Sequence, residues 1–309
     1  MPRSHPLVTS RSHGSGRVDV QVWYIAPMAL SPPVVLTIAG FDPSSGAGVT
    51  ADIKTIAAHN CYGVACISAL TVQSTAGVRR VEPVDAGLVT ETLLELASDV
   101  DIAAVHVGML GNAKIVRAVA DFLAKERVAN VVLDPILKSS SGADLVDISG
   151  AKLLLERLVP LSVVVTPNVD EASALTGLAV KTEDQMRAAA NKLHDLGAAG
   201  VVVTGGHLEK AIDLLSFTTK RGIEQEIFKS ERQRSKSTHG TGCAFATAMA
   251  CHLALGRGLP EAVLLAKAYV TAAISNAHPM GRGTGPVHHL YRMNQQRRIP
   301  AAQDPEPVH

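Results

Sequence analysis

The sequence predicts an α/β fold on a mostly parallel sheet, and three observations carry that expectation. Short β-branched runs alternate with helix-forming stretches from Val34 to Asn276. Apolar residues make up 47% of the 309 residues against 18% charged, enough to bury a sheet on both faces. Aromatic residues are only 3%, while Ala, Val, Leu and Gly abound, a mix suited to buried strands under Ala-rich helices.

The elements follow in order. VVLTIA at Val34 to Ala39 reads as a buried strand, followed by a Gly/Ser/Pro loop and a helix from Val49 to His59. GVACISAL gives a second strand; helix-forming sequence then leads to AAVHVGML and a helix from Ala113 to Glu126. VVLDP ends a strand at Asp134, and SVVVTPN and GVVVTGG repeat the pattern around a helix near Gln185 to Leu196. AIDLLSFT and its successor form a hairpin, and helices at Thr241 to Leu255 and Pro260 to Asn276 close the domain. No composition break divides residues 34–290, which predicts one domain between a disordered extension (1–33) and a flexible tail (291–309).

Composition excludes several function classes. Twenty-nine basic against 28 acidic residues leave a net charge of +1, with no field to recruit nucleic acid or an anionic membrane. No apolar run reaches the length of a membrane span, and the N-terminal stretch has no apolar core for a signal peptide, so a cytoplasmic location is expected. Met28 stands as an alternative start. None of the four cysteines sits in a C-x-x-C pair.

In such sheets ligands bind beyond the carboxyl ends of the strands, where strand order reverses. The small and polar residues fall there: Gly40-Phe41-Asp42, Thr71-Val72-Gln73, Gly108-Met109-Leu110, Asp134-Pro135, Thr166-Pro167-Asn168 and Thr204-Gly205-Gly206. They are expected to rim one cavity.

The strongest chemical signal is STHGTGCAFATAMACHLALG, Ser237 to Gly256. Gly240 and Gly242 let backbone N–H groups turn toward one point, and the following helix adds free donors and a positive dipole end. That makes an anion site without lysines; an ordinary glycine-rich loop before a packing helix is the alternative. At the helix start Cys243 is expected to have a lowered thiol pKa, as a thiolate able to take a proton from an attacking alcohol, or else to be structural. In AGFDPSSGAGVTADIKT, Gly46, Ala47 and Gly48 permit close ligand approach, and the helix carries Asp52; a plain turn reads equally well. In TPNVDEA, Asn168 and Glu171 share one helix face, suited to Mg²⁺ through its waters or to a helix cap. Asp134 suits metal or phosphate, or a turn. Gln73 suits the edge of a heteroaromatic ring and Met109 its face, though either alone is more often structural.

These segments, with SALTVQSTAGV, VGMLG, GGHLE and AKAYVTAAISNAHPMGRGTGPVHH, resemble in order the hydroxymethylpyrimidine/phosphomethylpyrimidine kinases of the ribokinase-like superfamily, over residues 34–290. The resemblance implies a three-layer αβα fold with helices on both sheet faces, commonly as a homodimer. It implies ATP-dependent phosphorylation of 4-amino-5-hydroxymethyl-2-methylpyrimidine and then of its monophosphate. A pyrimidine pocket is implied at Gly40, Ala47, Gln73 and Met109, with Asp52 nearby. Cys243 is implied beside the reacting hydroxyl, with Gly240 and Gly242 forming the anion hole. ATP is implied at Thr204, Thr241 and Lys138, and Mg²⁺ at Asn168, Glu171 and Asp134.

The chain departs from the family pattern in three places. Where the family has A-K-S-G after the D-P strand, DPILKSSSG puts Ser139-Ser140, with Lys138 ahead of them. Phe41 replaces a small residue, and the stretch from His207 to Asp213 is short. Pyridoxal kinase on the same scaffold, or a non-catalytic pyrimidine sensor, are the alternative functions.

Overall fold

The computed structural model describes residues 31–139, 142–206, 212–229 and 235–295. The N-terminal extension, Ser140, most of the short 207–213 stretch and the end of the C-terminal tail lie outside the described residues. One nine-stranded sheet runs in the order β3-β2-β1-β4-β5-β6-β7-β8-β9. Its strands are β1 (Val34–Phe41), β2 (Tyr62–Ser74), β3 (Gly77–Pro83), β4 (Ile102–Val107), β5 (Val131–Leu133), β6 (Val164–Val165), β7 (Gly200–Gly205), β8 (Ile212–Thr219) and β9 (Gly222–Lys229). From β2 to β7 neighbours pair parallel, while β3, β8 and β9 add antiparallel edges. Strand order reverses beside β1, which lies between β2 and β4.

Alternation along the strands sets the three layers. Leu36, Val105, Leu133, Val165, Val203 and Leu214 face one apolar cluster, shared with helices α2 (Ala86–Asp99), α3 (Ala113–Glu126), α5 (Val169–Thr176) and α6 (Glu183–Asp195), with α4 (Ile148–Leu153) between α3 and α5 in the chain. Val35, Ala104, Val132, Val164, Val202 and Leu215 face the other, with α1 (Gly48–Ala58), α7 (Thr241–Ala254) and α8 (Leu259–Ser275). Fully burying each such side chain stabilises by about 1.5–3 kcal/mol before the entropy of ordering is deducted.

Helix starts follow their capping residues. Asp85, Asn112 and Thr182 accept backbone N–H groups at the heads of α2, α3 and α6. Three features depart from the sequence expectation. β2 runs on to Ser74 and folds back as β3, a hairpin that Thr75 and Ala76 do not advertise with turn residues. SVVVTPN supplies only a two-residue strand, although Thr166 N still donates to Leu133 O and Pro167 O still accepts from Thr204 N beyond its end. The expected tail begins with a short helix, α9 (Tyr291–Gln295), because Tyr291 packs against Tyr269 at 5.8 Å and the Arg292 guanidinium lies over both rings.

Candidate active site

Backbone contact between two glycine-containing loops builds the site. Gly240 caps α7 at φ 80°, and a β-carbon there would stand 1.7 Å from the Gly46 carbonyl oxygen. Only a residue without a side chain lets the 42–47 loop and the 239–242 loop close to this distance. Asp42 organises its own loop. Its carboxylate accepts from Ser44 N and Oγ, Gly46 N and Ala47 N, and lies 2.9 Å from His239 Nε2. Burial pushes its pKa up, but the hydrogen bonds from His239, Ser44 and Ala47 outweigh this and hold the carboxyl down at about 2. Lys54 donates to the Ser45 carbonyl and ties α1 to the same loop.

Helix α7 opens without a side-chain cap and with no acidic residue in its first turn. Gly242 is exposed there, in the first turn at the positive end of the helix. A β-carbon on Gly242 would lie 3.7 Å from Asp134 Oδ2, which sets the end of β5 directly under the helix start.

Cys243 corrects one expectation. Its thiol pKa is raised well above the ordinary value, first by burial and then by the Asp134 and Asp52 carboxylates; the Gly48 amide pulls only partly the other way. The dipole cannot make a thiolate where desolvation and neighbouring anions both oppose charge.

Asp52 departs from its expected setting too. It is fully buried, accepting from Thr37 Oγ1 at 2.7 Å and Thr247 Oγ1 at 2.8 Å, with His106 Nδ1 at 3.3 Å. It therefore lies in the core, clamping α1, β1, β4 and α7 together. Burial opposes charge on His106, but Asp52 and Asp134 outweigh it and raise its pKa.

Asn168 and Glu171 form a capping box. Asn168 Oδ1 accepts from the N–H groups of Asp170 and Glu171, and Glu171 Oε2 accepts from Asn168 N at 2.9 Å. The Asn168 oxygen is thus spent on the helix. Burial, then the Asp134 charge, push Glu171 up to about 8, and burial pushes Asp134 up to about 6 against the pull of His106. Two carboxyls that resist ionising beside each other suit a cation that neutralises them. Among the described residues no three His, Cys, Asp or Glu side chains converge as a metal cage.

The remaining expected residues fall on both sides of this centre. Met109 packs onto Gly40, where a β-carbon would meet the Met109 methyl at 2.4 Å, and its carbonyl accepts from Ser68 Oγ. Ala47 caps α1, and Gln73 lies 3.2 Å from His239. Thr204 N donates to Pro167 O and Thr241 Oγ1 to Thr238 O. Lys138 stands apart. Its ammonium is 3.5 Å from Asp144, well exposed, in a groove of about 900 Å³ that also contacts Pro83 and Gly111. The sequence pattern gave Asp42 only a place among the strand ends on the rim and His239 no role, although both lie in the glycine-bearing segments.

A family model for phosphomethylpyrimidine kinase matches residues 42–288. The thiamine biosynthesis bifunctional protein ThiED of Geobacter sulfurreducens is 44% identical over 83% of this chain, which spans 52% of that relative's length. The hydroxymethylpyrimidine/phosphomethylpyrimidine kinase of Haemophilus influenzae is 39% identical, covering 82% of this chain and 96% of its own. Among solved structures, an ADP complex of Bacillus subtilis pyridoxal kinase superposes with a TM-score of 0.77 at 35% identity, over 85% of this chain and all of that one.

Proposed function

The chain belongs to the phosphomethylpyrimidine kinase family, and we propose that it phosphorylates 4-amino-5-hydroxymethyl-2-methylpyrimidine and then its monophosphate with ATP, in thiamine biosynthesis. The observation that carries this reading is the uncapped, exposed start of α7 above Asp134. An oxyanion met by free N–H groups and a dipole end is stabilised where charge develops.

In the reaction a bond forms between the hydroxymethyl oxygen and the γ-phosphorus, and the bond from that phosphorus to the β–γ bridging oxygen breaks. The amides at Gly242 and Gly240 hold the travelling phosphoryl oxygens. Cys243, protonated by its setting, hydrogen-bonds at the acceptor oxygen rather than acting as a standing anion; transfer is loose, so the alcohol gives up its proton late, to an oxygen of the transferred phosphoryl group, and positioning dominates. Mg²⁺ neutralises charge on the polyphosphate when bound. Asp134 and Glu171 would hold it, with Asn168 shaping the helix start beside them. Thr204 and Thr241 line the nucleotide side. Gly40, Ala47, Gln73 and Met109 line the pyrimidine side, with Asp52 supporting α7 from below.

Among the described residues no helix is long and apolar enough to cross a membrane. A cytoplasmic location remains part of the proposal. So does a homodimer, supported by Leu70 and Val72, half exposed on the outer β2–β3 hairpin.

Pyridoxal phosphorylation is the second reading, favoured by the likeness to a pyridoxal kinase structure. ADP release coupled to a dye, with the hydroxymethylpyrimidine and pyridoxal side by side, decides between them. Higher kcat/KM on the pyrimidine is expected. Higher kcat/KM on pyridoxal, or no ADP from either, sinks the assignment.

A further inference from the structure

His239 stands where four segments meet. Its ring Nε2 lies 2.9 Å from Asp42 Oδ2 and 3.2 Å from the Gln73 carboxamide. Its ring edge fills the space beside Gly46, where a β-carbon would come within 2.1 Å of Cδ2. Its backbone is held on both sides, His239 N donating to Gly285 O at 3.0 Å and His239 O accepting from Val287 N at 3.3 Å. The next residue is Gly240, the cap of α7.

The chemistry of these contacts assigns the proton. Ionised Asp42 can only accept, so Nε2 carries hydrogen and donates to it. A protonated Nε2 cannot accept from an amide nitrogen, and Thr71 Oγ1 gives its single hydrogen to Phe41 O at 2.9 Å. The Gln73 carboxamide is therefore turned so that its oxygen accepts from Nε2–H at 3.2 Å and its nitrogen donates to Thr71 Oγ1 at 3.3 Å. The second amide hydrogen remains for an acceptor such as a ring nitrogen.

We propose that His239 is a positioning residue that fixes the Gln73 carboxamide against the Asp42 loop, locking ring recognition in register with the start of α7. The inference rests on the reading of Gln73 as a pyrimidine contact. It predicts a change in substrate KM, because His239 touches the reading group and not the reacting atoms.

The test is a double-mutant cycle of His239→Ala and Gln73→Ala, read as KM for the pyrimidine and kcat separately. Each single variant is expected to raise KM about 5- to 10-fold, the loss of one hydrogen bond, with kcat within about 3-fold. The double variant should match either single one, since His239 acts only through Gln73. His239→Gln, whose amide N–H has comparable reach, should restore KM to within about 3-fold. Multiplying KM effects, an unrescued His239→Gln, or a fall in kcat with KM untouched each overturns the proposal. Should His239→Ala lack a cooperative melt, Asp42→Asn replaces it in the cycle, with the same coupling expected. Wild-type protein without turnover on the pyrimidine defeats the functional reading instead; turnover with an additive cycle defeats this one.

Discussion

The backbone of Gly46 touches the backbone of Gly240: a β-carbon on Gly240 would lie 1.7 Å from the Gly46 oxygen, with Gly240 at φ 80°. Alanine at position 240 brings left-handed strain and a backbone clash together. Gly240→Ala is expected to lose about 1–3 kcal/mol of stability and to lower kcat more than it raises KM. Thermal melts and steady-state kinetics check this; full activity would free the loop contact from any part in the α7 start.

Cys243 gives the second prediction. Cys243→Ala should lower kcat by about 2- to 10-fold, the loss of one neutral hydrogen bond, while substrate binding is largely kept. Because burial and the carboxylates raise its pKa, the thiol should also resist iodoacetamide at pH 8 far longer than a small free thiol. Fast alkylation would contradict the neutral thiol, and unchanged kcat would reduce it to packing.

Glu171 is held near 8, above its ordinary value, so the folded state resists its ionisation. The stability lost this way grows as pH rises from about 4.5 toward 8. Glu171→Gln is expected to raise the metal-free melting temperature at pH 8, by about 1–3 kcal/mol of stability, yet to weaken the Mg²⁺ dependence of turnover. A variant less stable at pH 8 than wild type would sink this.

Asp52 should behave as a support rather than a substrate contact. Asp52→Ala leaves His106, Thr37 and Thr247 without their shared partner, at a cost of about 3–5 kcal/mol. Chemical denaturation measures that cost. A stable variant with only a raised KM would return Asp52 to the pocket wall.

Two buried histidines set the acid limit. Burial holds His59 and His289 near 4, each with an Nε2 that has no partner among the described residues. The unfolded chain takes up these protons first, so stability is complete above about pH 6.5 and is lost as pH falls toward 4. Each contributes about 2–3 kcal/mol of that loss. His59→Asn, which keeps a donor for Thr55 O, should flatten the dependence between pH 6.5 and 4. An unaltered slope would remove His59 from the account.

That VVLTIA and GVVVTGG are buried strands was readable in the chain, because an unbroken β-branched run suits a strand covered on both faces; which face Val35 and Leu36, or Val202 and Val203, take was not. The glycine-flanked start of α7 was readable too. The β2–β3 hairpin was not, since register, rather than turn residues, forms it.

Local pattern determined the layered α/β fold, the helix limits and the glycine loops at the strand ends. Tertiary structure alone decided the charge states and partners: the neutral thiol of Cys243, the burial of Asp52, and the meeting of His239 with Asp42 across 197 positions. Period depends on neighbours in sequence. Desolvation and Coulomb terms depend on everything folding brings within a few ångströms.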